Sequence, residues 1–354
     1  MLEIPALQIL LPWLMSFFLG FLIAPVVLRY LHVFKIWKKK SGNTKGVGGG
    51  GTPIFNRLHK EKETSTPRMG GLVIVITVLF TTLSFWVISY ATVGNASGAF
   101  DFLTRSETWL PLFAFFVGGL IGFADDIYQI KLEGKFAGGL PILFRLLPTL
   151  IFALFCAYWF FYKLEISSVF VPFYGGFELG LLFVPFFVTV FIALFATSNI
   201  DGLDGLSGGI MAIIFSAMGF IAYAQDQVNL AAFCFVIVGS IIAFLWFNIP
   251  PAKFYMTESG YNALSFTLVI VAFATNTVLL LPLIAFCLFM TELTTIMQVL
   301  SKKYRGKKIF LVAPVHHHFE ALGNPAHHVV MKYWIVTMVT AALGVVIALL
   351  GITV

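Results

Sequence analysis

Charged residues are scarce in this sequence. Asp, Glu, Lys and Arg make up 11% of its 354 residues, whereas hydrophobic residues make up 59%. Ordinary soluble domains carry about 25% charged and about 45–50% apolar residues. Apolar runs recur from Leu7 to Val354 and leave no segment long enough for a soluble domain. The composition therefore excludes a soluble globular protein, and we expect residues 1–354 to form one integral membrane domain.

Cysteine is also scarce. The three cysteines, Cys156, Cys234 and Cys287, lie inside apolar runs without CxxC or Cys/His spacing. This pattern supports neither a disulfide framework nor a zinc site. The N-terminus lacks a basic stretch followed by a small-residue cleavage site, so we expect residues 7–31 to be a retained first span rather than a signal peptide.

Long apolar segments dominate what is present, and they predict an all-α polytopic membrane protein. A membrane helix needs about 20 mostly apolar residues. Little besides Asn276 and Pro282 interrupts the apolar stretch after Ala263, so a single helix there would reduce the number of spans from ten to nine. The ten predicted spans lie near residues 7–31, 71–93, 109–124, 140–162, 180–198, 206–225, 230–249, 260–277, 278–301 and 332–354.

Basic residues are distributed unevenly between the loops. Lys and Arg in short loops remain on the cytoplasmic side of a membrane, and 17 of the 22 Lys and Arg residues lie in odd-numbered loops. With ten spans, both termini then lie on the outer side. Topology and attraction to anionic membrane lipid explain the net charge of +6, with no need for nucleic acid. The predicted cytoplasmic loops lie near residues 32–70, 125–139, 199–206, 250–259 and 302–331.

Four polar clusters lie in these loops or at the adjoining helix ends. Charge near hydrocarbon is costly, so acids at a membrane edge are functional candidates. The first cluster is Asp125-Asp126 in GFADDIYQIKLEGK. Adjacent carboxylates repel each other unless a cation neutralises them, and Mg²⁺ prefers carboxylate and phosphate oxygens. The alternative is a solvated helix end paired with Lys131.

The second cluster is SNIDGLDGLSGG at residues 198–209. Asp201 and Asp204 are three residues apart, so they share one face of a helical turn. The glycines between and after them allow the backbone to approach a phosphate closely. The alternative is that these glycines serve only helix packing.

The third and fourth clusters add amide, aromatic and imidazole groups. Asn248, Tyr255 and Glu258 in WFNIPPAKFYMTESG suit a nucleobase beside a metal-bound diphosphate, although a short Pro-bent loop is the alternative. His316–His318 and Glu320 follow in APVHHHFEALG. Three consecutive side chains cannot all face one ion on a regular helix, so the pattern favours phosphate binding through ring N–H groups over a transition-metal site.

Together these clusters resemble the motifs of a known enzyme family. The similarity extends from Thr66 to Trp334 and points to the polyprenyl-phosphate N-acetylhexosamine-1-phosphate transferase superfamily. Within it, the histidine segment most resembles that of the phospho-N-acetylmuramoyl-pentapeptide transferases. The resemblance implies ten spans, both termini outside and an active site on the cytoplasmic face. Its segments are TPRMGG, GFADD, DGLDGL, FLWFNIPPAKFYM, TELTTIMQV and FLVAPVHHHFEALG.

The resemblance also implies site residues. The catalytic acids are Asp125, Asp126, Asp201, Asp204 and Glu258, with Mg²⁺ as cofactor and with Asp201, Asp204 and Glu258 as its expected ligands. The implied substrate-binding residues are Lys60 or Lys62 and His316, His317 and His318 for phosphate, Asn248 and Tyr255 for uracil, Gln298 on the nucleotide side, and Asn199 near the acids.

The implied reaction moves phospho-N-acetylmuramoyl-pentapeptide from UDP-MurNAc-pentapeptide to undecaprenyl phosphate. It releases UMP and forms lipid I for peptidoglycan synthesis in the bacterial inner membrane, with a homodimer as a possible assembly. One alternative is a sister transferase acting on a UDP-GlcNAc-type donor. Another is an ion-coupled transporter, which predicts acids near mid-bilayer, where only Glu292 lies. A third is a lipid-binding scaffold, in which five clustered carboxylates without metal would be a liability.

Three departures from the family pattern leave a divergent or weakened member open. Thr257, Glu258 and Tyr261 replace the usual Gly, Asp and Ser. Asn199 precedes Asp201 by two residues rather than three. The lysine that usually follows the paired acids is Gln129, so Lys131 would have to substitute for it.

Overall fold

A computed structural model describes residues 5–37, 64–91, 108–130 and 140–352. Helices dominate these ranges, with one short antiparallel hairpin formed by β1 (Ser168–Val171) and β2 (Gly175–Glu178). The helices are α1 (Pro5–Val33), α2 (Leu72–Ala91), α3 (Trp109–Ile130), α4 (Ile142–Tyr158), α5 (Phe183–Ala196), α6 (Leu206–Ala224), α7 (Val228–Asn248), α8 (Thr257–Ala274), α9 (Leu281–Ile284), α10 (Phe286–Arg305), α11 (Val315–Ala321) and α12 (Ala326–Ile352).

The predicted all-α polytopic class is confirmed, and each of the ten predicted spans coincides with helix. Within the described ranges, eight helices are long and apolar enough to cross a membrane. The pair Val278–Ile284 and Phe286–Arg305, bent by 82°, raises the number to nine if it forms one span. Helix α8 is less apolar because Glu258, Ser259 and Asn262 lie in its first two turns, and it is buried inside the bundle. Ten membrane crossings therefore remain a prediction.

Several predicted boundaries were wrong, because helical hydrogen bonding continues beyond the end of an apolar run. Helix α3 extends to Ile130, so Asp125 and Asp126 lie on a helix rather than in a loop at 125–139. Helix α8 begins inside the predicted loop 250–259. The predicted loop 302–331 contains α11 and the first residues of α12. The β1–β2 hairpin was not predicted, since its four-residue strands are too short for a clear alternation.

Helices α3 and α8 pack closely through glycine. A Cβ atom on Gly122 would lie 2.0 Å from the Glu258 carbonyl oxygen, and one on Gly118 would lie 2.4 Å from the Asn262 carbonyl oxygen. Lipid provides no hydrophobic drive between helices, so close approach through small residues is the main source of packing energy in a membrane. This approach brings the C-terminal turns of α3, with the paired acids, against the N-terminus of α8.

Substitution of Gly122 tests this packing. We expect Gly122→Ala to lower the apparent Tm, because overpacking typically costs about 1–3 kcal/mol and outweighs the gain in helix propensity of about 1 kcal/mol. Gly119→Ala is the matched control on the same helix, since its Cβ would meet its nearest neighbour, Val75, at 3.4 Å. Thermal unfolding in detergent should show Gly119→Ala equal to or above wild type. Equal Tm values for the two variants would contradict the close-packing argument.

Phenylalanine packs along the rest of α8. The Phe266 ring centroid lies 4.7 Å from that of Phe191 on α5 and 5.8 Å from that of Phe152 on α4. Two helical turns further along α8, the Phe273 ring centroid lies 4.3 Å from that of Phe187. Such pairs contribute about 0.5–1.5 kcal/mol each beyond the burial of area. They fix α8 in the centre of the bundle, so its first turn is a rigid platform for the polar residues there.

Candidate functional site

The polar clusters meet at one end of the helix bundle, where the C-terminal part of α3 reaches the N-terminus of α8. Asp126 Oδ2 accepts hydrogen bonds from Thr257 Oγ1 at 2.6 Å and from the Ser259 backbone N–H at 2.9 Å. Its Oδ1 accepts from the Glu258 N–H at 3.3 Å. A carboxylate from one helix thus caps the N-terminus of another, where free N–H groups and the helix dipole favour negative charge.

Thr257 joins this acid to the second cluster. Its backbone N–H donates to Asp201 Oδ2 at 2.8 Å, while Ser207 Oγ donates to Asp201 Oδ1 at 2.5 Å. Burial raises the pKa of Asp201, whereas the bonds from Ser207 and Thr257 and the Arg68 guanidinium lower it. Thr257 has a φ of +58°, which is rare for a β-branched residue and is held here by contacts on three sides.

Arg145 lies between two further acids. Its Nη1 is 3.4 Å from Asp125 Oδ2 and 3.3 Å from Glu258 Oε1. Asp125 also accepts hydrogen bonds from Gln129 Nε2 at 2.7 Å and from the Leu140 N–H at 3.0 Å. The alternative of a solvated helix end does not hold for Asp125, whose side chain is only 2% exposed.

Glu258 has one engaged and one unengaged oxygen. Oε1 faces Arg145, whereas Oε2 is buried and has no hydrogen-bond partner among the described residues. Glu258 precedes the predicted span 260–277. Burial raises the pKa of Glu258 to about 7, with Arg145 lowering it and the neighbouring carboxylates of Asp126, Asp125 and Asp201 raising it. A cation beside Oε2 would offset this clustering of negative charge.

The amide of Asn248 holds the second and third clusters together. Its Oδ1 accepts from the Gly205 N–H at 3.0 Å, and its Nδ2 donates to the Phe254 carbonyl at 2.8 Å. Asp204 accepts from the Ala252 N–H at 3.4 Å. The Asn248 side chain is 97% buried and acts here as a brace between two loops. Its predicted contact with uracil stays a prediction.

The histidine segment packs against the second cluster. A Cβ on Gly202 would lie 2.6 Å from His316 Nε2 and 2.7 Å from His317 Nε2, so both imidazole rings pack closely against this glycine. His317 Nδ1 is 2.7 Å from Glu320 Oε2. His318 points elsewhere, accepting a hydrogen bond from the Leu311 N–H at 3.2 Å. The three histidines therefore do not converge on one point. This confirms the expectation that three consecutive side chains on a helix cannot all face one ion.

Gln298 and Asn199, two further predicted residues, bind chain segments next to the clusters. Gln298 accepts from the Ile309 and Phe310 N–H groups at 2.9 and 3.0 Å and so orders the chain before α11. Asn199 donates to Glu292 Oε2 on α10 at 2.7 Å. The roles of Gln298, Asn199 and Tyr255 toward substrate stay predictions. Lys60, Lys62 and Lys131 lie outside the described residues.

Sequence reasoning missed three contributors to the site. Arg145 was counted only as part of the span 140–162, although an arginine inside an apolar segment is itself a functional signal. Arg68 was counted only as a topology residue, and Thr257 only as a departure from the family pattern. Tyr261, which departs from the family pattern as Thr257 does, is fully buried, and its hydroxyl pairs with Thr197 Oγ1 at 2.7 Å, tying α8 to the turn before Asp201.

The donor set fits a hard cation that shares its coordination with substrate. Among the described residues, no three His, Cys, Asp or Glu side chains converge closely enough to hold a metal ion alone. Mg²⁺ usually takes only one or two protein carboxylates and completes its shell with phosphate and water. The unengaged Glu258 Oε2 and the neighbouring Asp201 carboxylate suit that mode.

The hydroxyl of Thr257 should matter for activity. Thr257→Val keeps the β-branched shape but removes one of the hydrogen bonds to Asp126 and the acceptor for the Met69 N–H. A hydrogen bond to a charged group contributes about 1.5–3 kcal/mol, so we expect turnover to fall about tenfold or more. Thr257→Ser retains the hydroxyl and should stay within about threefold of wild type in the same steady-state assay. Equal rates for Val and Ser would exclude the hydroxyl from this role.

Comparison with known proteins finds relatives that match most of the chain. The family model described as glycosyl transferase family 4 matches residues 108–276. A phospho-N-acetylmuramoyl-pentapeptide-transferase of Lactiplantibacillus plantarum is 33% identical over 331 residues, covering 93% of this chain and 95% of the relative. One from Bacillus anthracis is 37% identical over 294 residues, covering 81% and 85%. One from Clostridium perfringens is 31% identical over 337 residues, covering 94% and 96%.

The similarity extends over the described helices that carry the site, from α1 to α12, rather than over a single motif. The Lactiplantibacillus plantarum relative is more than 30% identical across more than nine-tenths of both chains. In this chain the four polar clusters also come together in space. The chain belongs to the phospho-N-acetylmuramoyl-pentapeptide-transferase family.

Proposed function

We propose that this protein transfers phospho-N-acetylmuramoyl-pentapeptide from UDP-MurNAc-pentapeptide to undecaprenyl phosphate, forming lipid I and releasing UMP. The observation that carries the proposal is the link through Thr257, whose hydroxyl binds Asp126 and whose N–H binds Asp201. Acids from separate clusters are thereby held at one end of a membrane bundle. The names of the relatives support the transferred group, phospho-N-acetylmuramoyl-pentapeptide, and the motif resemblance supports the UDP carrier and the lipid acceptor.

The site is proposed to face the cytoplasm, with both termini outside, in the bacterial inner membrane. The excess of Lys and Arg in odd-numbered loops supports this orientation. A soluble nucleotide donor and a lipid acceptor can meet only at a membrane edge. Bound membrane lipid and a homodimer belong to the same proposal.

Mg²⁺ is the proposed cofactor, and one or two of its predicted ligands, Asp201, Asp204 and Glu258, would hold it together with substrate phosphate. When bound, such an ion offsets the charge on the phosphorus under attack. Asp126 positions the first turn of α8, and with it Glu258, by accepting two backbone N–H groups there. Arg145 holds Glu258 Oε1 in place, which leaves Oε2 directed to the ligand.

The proposed chemistry is a direct displacement. An oxygen of undecaprenyl phosphate bonds to the phosphorus that carries the sugar, and the bond from that phosphorus to the bridging oxygen breaks, so the electron pair leaves on UMP. A phosphate monoester has a second pKa of about 6, so at neutral pH most of the acceptor has lost its second proton. Asp125 or Asp126 would position it or accept its remaining proton.

A reconstituted assay tests the proposal. Purified protein is supplied with undecaprenyl phosphate, Mg²⁺ and either UDP-MurNAc-pentapeptide or UDP-GlcNAc, and UMP release and the lipid product are followed. We expect turnover with the muramoyl donor alone. Turnover with UDP-GlcNAc alone would assign the sister activity, and no turnover with either donor would overturn the enzyme assignment.

A further inference from the structure

The segment TPRMGG places the positively charged side chain of Arg68 in the site. Residues 67–71 run beside the residues that directly precede α8. The Gly70 N–H donates to the Tyr255 carbonyl at 2.7 Å, and the Tyr255 N–H donates to the Pro67 carbonyl at 2.9 Å. The Met69 N–H donates to Thr257 Oγ1 at 3.1 Å. A Cβ on Gly71 would lie 2.4 Å from the Gly260 Cα, so the segment is closely packed. The backbone of Arg68 is therefore fixed beside the acids.

Gln129 orients the Arg68 side chain. Arg68 Nη2 donates to Gln129 Oε1 at 2.6 Å, and Gln129 Nε2 donates to Asp125 Oδ2 at 2.7 Å. Only this orientation of the amide satisfies both neighbours, because a guanidinium only donates and a carboxylate only accepts. The guanidinium is thus held by the neutral amide of Gln129.

Within the part of the chain that the structure describes, no acid neutralises the charge of Arg68 by direct contact. Among the described residues, no carboxylate oxygen forms an ion pair with it, and its Nε is buried without an acceptor. A buried donor that lacks an acceptor costs about 1–3 kcal/mol. Arg68 nevertheless interacts electrostatically with both Asp126 and Asp201, so its guanidinium lies near both carboxylates. An oxygen-bearing anionic ligand between them would satisfy Nε.

We propose that Arg68, oriented by Gln129, binds a phosphate group of a substrate. A guanidinium presents parallel N–H donors that match two phosphate oxygens, whereas an ammonium does so only as a point charge. The identity of the ligand rests on the proposed function, in which the diphosphate of the donor and the phosphate of the lipid both enter this site. Arg68 therefore contacts substrate, and Gln129 is its positioning residue.

Binding of UDP and of uridine to the full chain tests the phosphate contact without turnover. We expect Arg68→Gln to weaken UDP binding about tenfold or more while uridine binding stays unchanged, since only UDP carries phosphate. Arg68→Lys should recover part of the loss. Gln129→Leu should act in the same direction with a smaller effect. Arg305→Gln removes an exposed arginine of the same formal charge and should match wild type.

A second arm measures the KM of undecaprenyl phosphate for Arg68→Gln. A loss of UDP affinity assigns the contact to the donor, and a higher KM for the lipid alone assigns it to the acceptor. If neither changes, or if UDP and uridine weaken equally in a folded variant, the proposal is wrong. Phosphate-dependent binding without turnover would leave this inference standing and overturn the proposed function instead.

Discussion

Asp201→Asn is expected to lower turnover by about 10³-fold while leaving the protein folded. Removing a carboxylate that ligates a catalytic cation forfeits several kcal/mol of transition-state stabilisation, and each 1.4 kcal/mol is tenfold in rate. Asn retains one acceptor oxygen for the Thr257 N–H or for Ser207 Oγ. The loss should therefore be chemical rather than structural, which steady-state rates and apparent Tm together can separate.

Asp226→Asn is the matched control for this variant. Asp226 is exposed in the turn between α6 and α7, at the opposite end of α6 from Asp201, and its φ of +60° is one that Asn tolerates well. We expect wild-type turnover and Tm. Near-normal turnover of Asp201→Asn would remove Asp201 from the catalytic site, whatever the control shows.

Glu258→Gln is expected to lower turnover by about 10²-fold. Glutamine keeps the length but removes the charge that faces Arg145 on one side and the ligand on the other. Loss of a ligand carboxylate beside developing charge costs about 2.7–4 kcal/mol in comparable electrostatic sites, and retained oxygen coordination reduces that cost here. Rates measured over a Mg²⁺ titration should show a higher Mg²⁺ requirement for the variant.

Glu258→Asp is the control for charge at this position. It restores the residue expected from the family resemblance. It also keeps a carboxylate that Arg145 can pair with after a small side-chain movement. We expect activity comparable to or above that of wild type. An unchanged rate and Mg²⁺ requirement in Glu258→Gln would exclude a metal-side role for this residue.

The departures from the family pattern look different once their contacts are known. Thr257 contributes a hydroxyl that binds Asp126, and Tyr261 contributes one that pairs with Thr197. Gln129 joins Asp125 to Arg68 instead of supplying a charge of its own. Each replacement forms specific bonds to neighbouring site residues, which argues against a degenerate site and for an active, divergent one.

Hydropathy was sufficient to locate the helices, and loop chemistry was sufficient to locate the clusters. Burying a backbone in lipid requires internal hydrogen bonding, so every long apolar run had to be helical. Helix ends were harder to predict, because Asp125 and Asp126 stay helical beyond the apolar run that ends the third predicted span. The break between α8 and α9 was predicted from Asn276 and Pro282, and Asn276 has a φ of +54° there.

Composition and loop chemistry are enough to predict the membrane class, the positions of the helices and the residue types that gather at one end of them. They are enough because the cost of placing charge or unpaired backbone in hydrocarbon restricts where such residues occur. The capping of α8 by Asp126, the position of Arg145 between Asp125 and Glu258, and the contact of Arg68 with Gln129 depend instead on the tertiary structure. Those contacts join residues 20 to 133 positions apart, and their geometry depends on close packing of α3 against α8, which no local pattern specifies.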